Sequence, residues 1–211
     1  MGRPMNEAST KKSPVQVWVM VASVALVLIA GFLVFPGNEQ QRQRLLNMLG
    51  TSNHGILLTP VVPFVGLEAK TAGGATWSWV QPQPDWRLVV VGGAQCVNGC
   101  REMLYVTRQV HILLGNKSQR LQRLYLNLDT VLDSATAQYL SEEHRYLETL
   151  YVDRKEFQHL LASTNADWQA GAVRAFLVDP HGVAMMFYTA EHDGGGMLED
   201  IKHLFKYSPE P

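Results

Sequence analysis

The sequence predicts an α/β domain carried behind a single N-terminal transmembrane helix. Three observations predict it: a long uncharged apolar run near the N-terminus, short β-branched runs alternating with amphipathic stretches over residues 86–211, and a four-residue turn before the last apolar run. The chain has 211 residues, which fits one domain plus an attachment. Its 18 Lys+Arg against 19 Asp+Glu leave a net charge of −1, which argues against nucleic acid, because phosphate binding needs clustered cations. Two cysteines exclude a disulfide scaffold and a zinc site of four thiolates. The charged fraction is 18%, below the usual share of about 25%, so part of the chain is expected outside water.

That part is Val15 to Phe35, which carries no charge. About 20 such residues cross a hydrocarbon core as a helix. A cleaved signal peptide has a shorter apolar stretch, about 7–15 residues, and Phe32-Leu33-Val34-Phe35 lacks a small-residue cleavage pattern. A retained anchor is therefore expected. Arg3, Lys11 and Lys12 precede the span against Glu7 alone, placing the N-terminus on the cytoplasmic side; Arg42 and Arg44 follow it. The remainder is then expected in the periplasm, on a bacterial inner membrane. This divides the chain into a cytoplasmic tail (1–14), a transmembrane helix (15–35), a stalk with an irregular extension (36–85) and the α/β domain (86–211).

In the stalk, Leu45, Leu46 and Leu49 stand at helical spacing. Residues 54–83 are rich in Gly and Pro, with apolar runs Ile56-Leu57-Leu58 and Trp77-Ser78-Trp79-Val80, and predict irregular chain with brief strands. Arg87 to Val91 then predicts a strand buried on both faces. Gly92-Gly93-Ala94-Gln95 breaks it, and Cys96 to Leu114 predicts a helix with Met103, Val106 and Val110 on one face. Arg123 to Leu128 predicts a second strand. Ser134 to Leu161 predicts mostly helix, broken near Tyr151-Val152-Asp153. Ala175 to Val178 predicts a third strand, Asp179-Pro180-His181-Gly182 a turn, and Val183 to Tyr188 a fourth strand. A closing helix is expected from Gly194-Gly195-Gly196 to about Lys206.

Strand, helix, strand, helix, strand, strand, helix is the thioredoxin order, with crossovers favouring parallel pairing and the short turn an antiparallel hairpin. Cys96-Val97-Asn98-Gly99-Cys100 after Leu88-Val89-Val90-Val91, with Phe176-Leu177-Val178-Asp179-Pro180-His181-Gly182 before the last hairpin strand, resembles the SCO/SenC family. The likeness covers roughly Trp86 to the C-terminus. It implies a membrane-anchored, thioredoxin-like assembly factor for cytochrome c oxidase, whose copper is held by both cysteines and a histidine about nine residues before the proline of the turn. Counting back from Pro180 reaches Gly171, and residues 165–171 contain neither His nor Met. The cysteine half of that site carries over to Cys96 and Cys100; the histidine half does not.

Read without the family, two thiols at i and i+4 can bridge or share a metal. A helix N-terminus stabilises a thiolate, the nucleophile and soft-metal ligand. Arg101 adds positive charge there and Glu102 opposes it. An inert periplasmic disulfide is the competing role, although so small a loop gives little stability. The fourth strand is expected to run back towards the cysteines, which makes His192 the one candidate for a third metal ligand. His181 is expected at the opposite end of the sheet. Trp168 and Asp167 fall in the loop facing the cysteines, while Trp77, Trp79 and Trp86 read as core or interfacial. No spacing supports a Ser-His-Asp triad, and Gly194-Gly195-Gly196 is too short for a dinucleotide site. The expected role is oxidase assembly by thiol–disulfide exchange or copper handling, with copper as the implied cofactor and an oxidase subunit or copper chaperone as partner. The alternative is a docking module with a structural disulfide.

Overall fold

The computed structural model describes residues 14–34, 53–82 and 85–208. The chain divides into two units, Met1–Thr51 and Ser52–Pro211. In the first, α1 spans Pro14–Val34, with no acidic residue in its first turn and no basic residue in its last. Every large apolar side chain from Val15 to Ile29 is more than half exposed. Among the described residues no helix is long and apolar enough to cross a membrane. The basic flank at Arg3, Lys11 and Lys12 and the stalk leucines lie outside the described residues.

The second unit is built on one eight-stranded sheet: β1 (Ile56–Pro63), β2 (Ala69–Thr71), β3 (Thr76–Trp77), β4 (Trp86–Gly92), β5 (Leu121–Asn127), β6 (Leu147–Tyr151), β7 (Arg174–Val178) and β8 (Val183–Tyr188). Across the sheet they run β1-β8-β7-β4-β5-β6-β2-β3. The parallel neighbours β4–β5 and β5–β6 are joined by crossovers containing α2 (Gly99–Leu113) and α3 (Ser134–Glu143), as short connections cannot join parallel strands. α4 (Arg154–Leu161) leads to β7, which is antiparallel to β4, and α5 (Gly194–Tyr207) follows β8. The Asp179–Gly182 turn closes the antiparallel β7–β8 pair, Gly182 having φ +80° and its N–H bonding Asp179 O at 2.9 Å.

Strand alternation sorts the core into two layers. Val89, Val91, Leu124, Leu126, Phe176 and Val178 point to one face, where Phe64, Trp77, Trp79, Phe157 and Leu161 cover them. Leu88, Val90, Tyr125, Ala175, Leu177 and Tyr188 point to the other, against α2, α5 and both cysteines. Both faces are dry, which is why the central strands read as continuous apolar runs.

Two expectations are corrected. Residues 134–161 are not one broken helix: Leu147–Tyr151 forms β6 between α3 and α4. A helical reading fails there because Asp153 caps a new helix, and a five-residue strand carries too little pattern to stand out. Residues 54–82 are also more ordered than expected. β1 adds to one edge of the sheet, the β2–β3 hairpin adds to the other beside β6, and Trp77 and Trp79 lie under the first face.

Candidate functional site: a disulfide at the mouth of a cleft

The site grows out of the end of β4. An added Cβ on Gly92 would run into the hydroxyl and ring of Tyr125, and one on Gly93 would lie 2.6 Å from Asp129 Oδ2. Only glycine lets the chain leave the strand this close to its neighbours. Tyr125, on β5, donates its hydroxyl to Gly93 O at 2.7 Å. Ala94 N–H donates to Asp129 Oδ2 at 2.7 Å, and Asp133 N–H donates to Ala94 O at 3.1 Å. The loop after β4 is thus laced to the loop after β5 before it reaches the first cysteine.

Cys96 and Cys100 are joined by a disulfide with their Cα atoms 5.2 Å apart. The helix begins at Gly99 rather than Cys96, a further correction: Cys96 lies in the loop, and Cys100 is the second residue of α2. Asn98 interrupts the helix with φ +46°, which keeps Cys96 out of the helical ladder. Cys96 is fully buried and pinned from both sides, its N–H donating to Thr136 Oγ1 at 3.0 Å and its carbonyl accepting from Arg101 Nε at 3.0 Å. The Arg101 guanidinium continues over the Tyr139 ring, 4.5 Å from its centroid. Cys100 Sγ lies 3.9 Å from Tyr125 Oη.

The charges around the pair are held in fixed states. The Ala94 N–H holds Asp129 below the usual carboxylate range, and Arg154, which donates to its other oxygen, adds to this against the opposing effect of burial. The Thr136 N–H and hydroxyl lower Asp133. Burial, reinforced by those two carboxylates, pushes Tyr125 up, so its hydroxyl stays protonated as a donor.

A cleft of about 450 Å³ opens here, lined by Cys100, Val97, Asp129, Arg154, Trp168 and Gly171 among others. Trp168 is fixed by Nε1–H to Ala172 O at 2.9 Å and by an edge contact with Phe157, their ring centroids 5.1 Å apart. The expected meeting of Trp168 with the cysteine end is therefore present. Asp167 is exposed with φ +42° and does not line the cleft. Gly171 has φ +91°, and nothing lies within 4 Å of where its Cβ would be.

Tyr188 pairs with Ala175, and Ala175 with Val90, so β8 runs back to the cysteine end as its topology required. His192 nevertheless folds onto its own turn: Nδ1 accepts from Thr189 N–H at 3.1 Å and sits 2.9 Å from Thr189 Oγ1. It is not in the cleft lining. His181 is in the opposite turn, following Val178, whose strand pairs with Arg87 at the start of β4. Among the described residues no group of three or more His, Cys, Asp or Glu could hold a metal. The two sulfurs with Gly171 in the third position do not fit a two-cysteine, one-histidine copper site.

Sequence reading missed Tyr125, Thr136, Asp129 and Arg154 as parts of this site. Asp129 carried a signal, since the carboxyl ends of parallel strands collect ligand-facing loops. Arg154 carried none, because an unrecognised β6 merged its helix with the one before, and Thr136 carried none because its tie to the Cys96 N–H is a tertiary contact across 40 residues.

No curated protein matches the chain. Among solved structures it is similar to yeast Sco1 with copper bound, at 16% identity and a TM-score of 0.56, covering 71% of this chain and 91% of that one. Arabidopsis thaliana ScoI with copper bound matches at 16% identity and a TM-score of 0.52, over 68% and 99% of the two chains. BsSco, described as a member of the Sco family of cytochrome c oxidase assembly proteins with a disulfide switch, matches at 11% and 0.53, over 71% and 96%. The domain therefore has the thioredoxin-like fold of the Sco proteins. With residues 86–208 matching its model, the chain belongs to the family described as transmembrane-like, thioredoxin-like, C-terminal domain.

Proposed function

We propose that this chain is a membrane-anchored thiol–disulfide exchange protein serving respiratory oxidase assembly. The observation that carries the reading is the Cys96–Cys100 disulfide, whose Cys100 lines an open cleft, with Gly171 in the same lining at the position where the SCO/SenC resemblance implies a histidine. The sulfur pair can accept two electrons from a partner dithiol without any further ligand, whereas a three-ligand copper site cannot form from these side chains. Copper remains a candidate cargo of the reduced pair, since two thiolates suit Cu(I) and the site lacks the imidazole that Cu(II) favours. The copper bound in yeast Sco1 and Arabidopsis ScoI, and the disulfide switch described for BsSco, support both branches. A purely bracing disulfide is disfavoured, because closing a four-residue separation removes little unfolded-state entropy.

Anchorage in a bacterial inner membrane, with the domain periplasmic, completes the proposal. Its support is the uncharged run Val15 to Phe35, the basic residues before it, and a helix α1 whose apolar side chains project all round. A helix apolar on every side needs a nonaqueous surrounding.

The test is redox titration of the full chain in detergent against glutathione buffers, paired with oxidase activity in cells carrying Cys96→Ser and Cys100→Ser together. Reversible opening of the disulfide and loss of oxidase activity are expected. A disulfide that no thiol opens in the folded protein, with normal oxidase activity in the double variant, would overturn the reading and leave the docking module.

A further inference from the structure

Exchange chemistry requires one of two sulfurs to be attacked first, and the fold treats the two very differently. Cys96 precedes α2, is 0% exposed, and has both its backbone groups tied to buried or stacked neighbours, Thr136 and Arg101. It is absent from the cleft lining. Cys100 sits one helical step inside α2, is 4% exposed, and contributes to the cleft wall with Val97 and Trp168. Val97, between the two cysteines in sequence, is 54% exposed and lines the same cleft. An incoming peptide thiol therefore meets apolar surface beside Cys100.

We infer that the incoming thiolate attacks Cys100, and that Cys96 is the leaving and resolving cysteine. The inference rests on the exchange reading and assigns its order. A partner thiolate forms a bond to Cys100 Sγ as the Sγ–Sγ bond breaks, and Cys96 departs as a thiolate that takes a proton from water. The partner's second thiolate then attacks its own sulfur in the mixed disulfide, releasing Cys100 as a thiolate. The partner dithiol is oxidised by two electrons and the Cys96–Cys100 pair is reduced. In the reverse direction, Cys96 closes onto Cys100 and expels the partner thiolate.

Two effects compete over this order. The first turn of α2 stabilises a thiolate at Cys100, which favours it as leaving group and would direct attack to Cys96. Leaving-group stability scales a rate that access must first permit, and Cys96 is fully buried and outside the cleft lining, whereas Cys100 is part of that lining. Access decides.

The oxidised full chain in detergent is treated with limiting glutathione, then with excess N-ethylmaleimide, and the peptides are assigned by mass. Glutathione on Cys100 with maleimide on Cys96 should exceed the opposite pattern by roughly ten-fold or more. Single variants provide a second measurement. Reduced Cys96→Ser should react with a dithionitrobenzoate reagent roughly ten-fold faster than reduced Cys100→Ser, the two becoming equal in denaturant. Glutathione chiefly on Cys96, or a faster Cys100→Ser variant, would overturn the order while leaving exchange standing. A disulfide inert to glutathione would overturn exchange and this order together.

Discussion

His144 is the most perturbed imidazole of the protein's described residues, and it is buried just after Glu143, the last residue of α3. It caps α3, its Nε2 lies 3.0 Å from Tyr139 Oη, and its Nδ1 has no hydrogen-bond partner among the described residues. A helix C-terminus ordinarily welcomes a protonated histidine. Here burial wins, with Arg123 and Arg108 adding repulsion against the weaker attraction of Glu143, and pulls the imidazole down to about 4. The unfolded chain takes up the same proton near pH 6.5. Between about 6.5 and 4 the unfolded state therefore holds a proton that the folded state refuses, and stability falls as pH falls through that window. Urea unfolding at neutral pH and at the acid end of the window should show this loss, and His144→Gln should lose less. An identical loss in the variant would assign the dependence to other groups. Gly171 gives the second prediction at this scale. Its Cβ position is open, but φ +91° would cost a histidine on the order of 1–3 kcal/mol of strain. Gly171→His should still raise Cu(I) affinity of the reduced protein roughly ten-fold by adding an imidazole beside Cys100. Competition with a Cu(I) chelator measures it; unchanged affinity would mean that the cleft position is not a ligand position.

The elements divide into those whose pattern is long enough to read and those fixed by single side chains. The strand Val183–Tyr188 lies where alternation and the Asp179–Gly182 turn put it, and β4 and β7 each depart from their expected ends by at most one residue. The first site helix was read three residues too long at its start, because the apolar periodicity of Met103, Val106 and Val110 says nothing about where a cysteine loop ends; Asn98 and its positive φ decide that. β6 stayed hidden for a different reason. Its residues Leu147, Glu148, Thr149, Leu150 and Tyr151 owe their strand to pairing with β5 on one side and β2 on the other, a tertiary cause with little local trace. What ends β6 and starts α4 is Asp153, whose carboxylate accepts the N–H groups of Lys155 at 2.9 Å and Glu156 at 3.0 Å. α4 has only eight residues and begins with Arg154, the partner of Asp129 at the cleft. Asp153→Ala should therefore lower stability by about 1 kcal/mol in urea titration. It should leave the opening of the disulfide by glutathione within about two-fold, since the pair is held by Thr136 and Arg101 instead. A larger effect on the thiols than on unfolding would show that α4 sets the site directly.

At the scale of the whole molecule, the sequence made legible a cysteine pair at a strand-to-helix junction and the return of β8 to that end of the sheet. The cleft itself was hidden, because it is assembled from loops after β4 and β5, the start of α4 and the segment before β7, four places with no common motif. The edges were hidden too: β1 pairs with β8, and β2 with β6, across more than a hundred and about eighty residues of chain respectively, so only the folded sheet recruits them. One such long connection bears on attachment. The buried Asp200 carboxylate of α5 accepts His54 N–H at 3.0 Å, Gly55 N–H at 2.8 Å and the Tyr188 hydroxyl at 3.1 Å. That clamp fastens the start of the second unit to its last helix. Asp200→Asn removes the charge and, in either orientation of the amide, sets an N–H donor against at least the His54 N–H. It should destabilise the domain by roughly 2 kcal/mol, the scale of a charge-assisted hydrogen bond lost in a buried site. The proposed anchor and its orientation are tested by fusing alkaline phosphatase after Pro211. With Lys11 and Lys12 left in the cytoplasm, the reporter should be active and should sediment with membranes. An inactive reporter would reverse the topology, and an active but soluble one would show that the apolar run is cleaved. Either result would move the disulfide to a different redox compartment or a different carrier, and with it the partner thiols that the Cys100 cleft can meet.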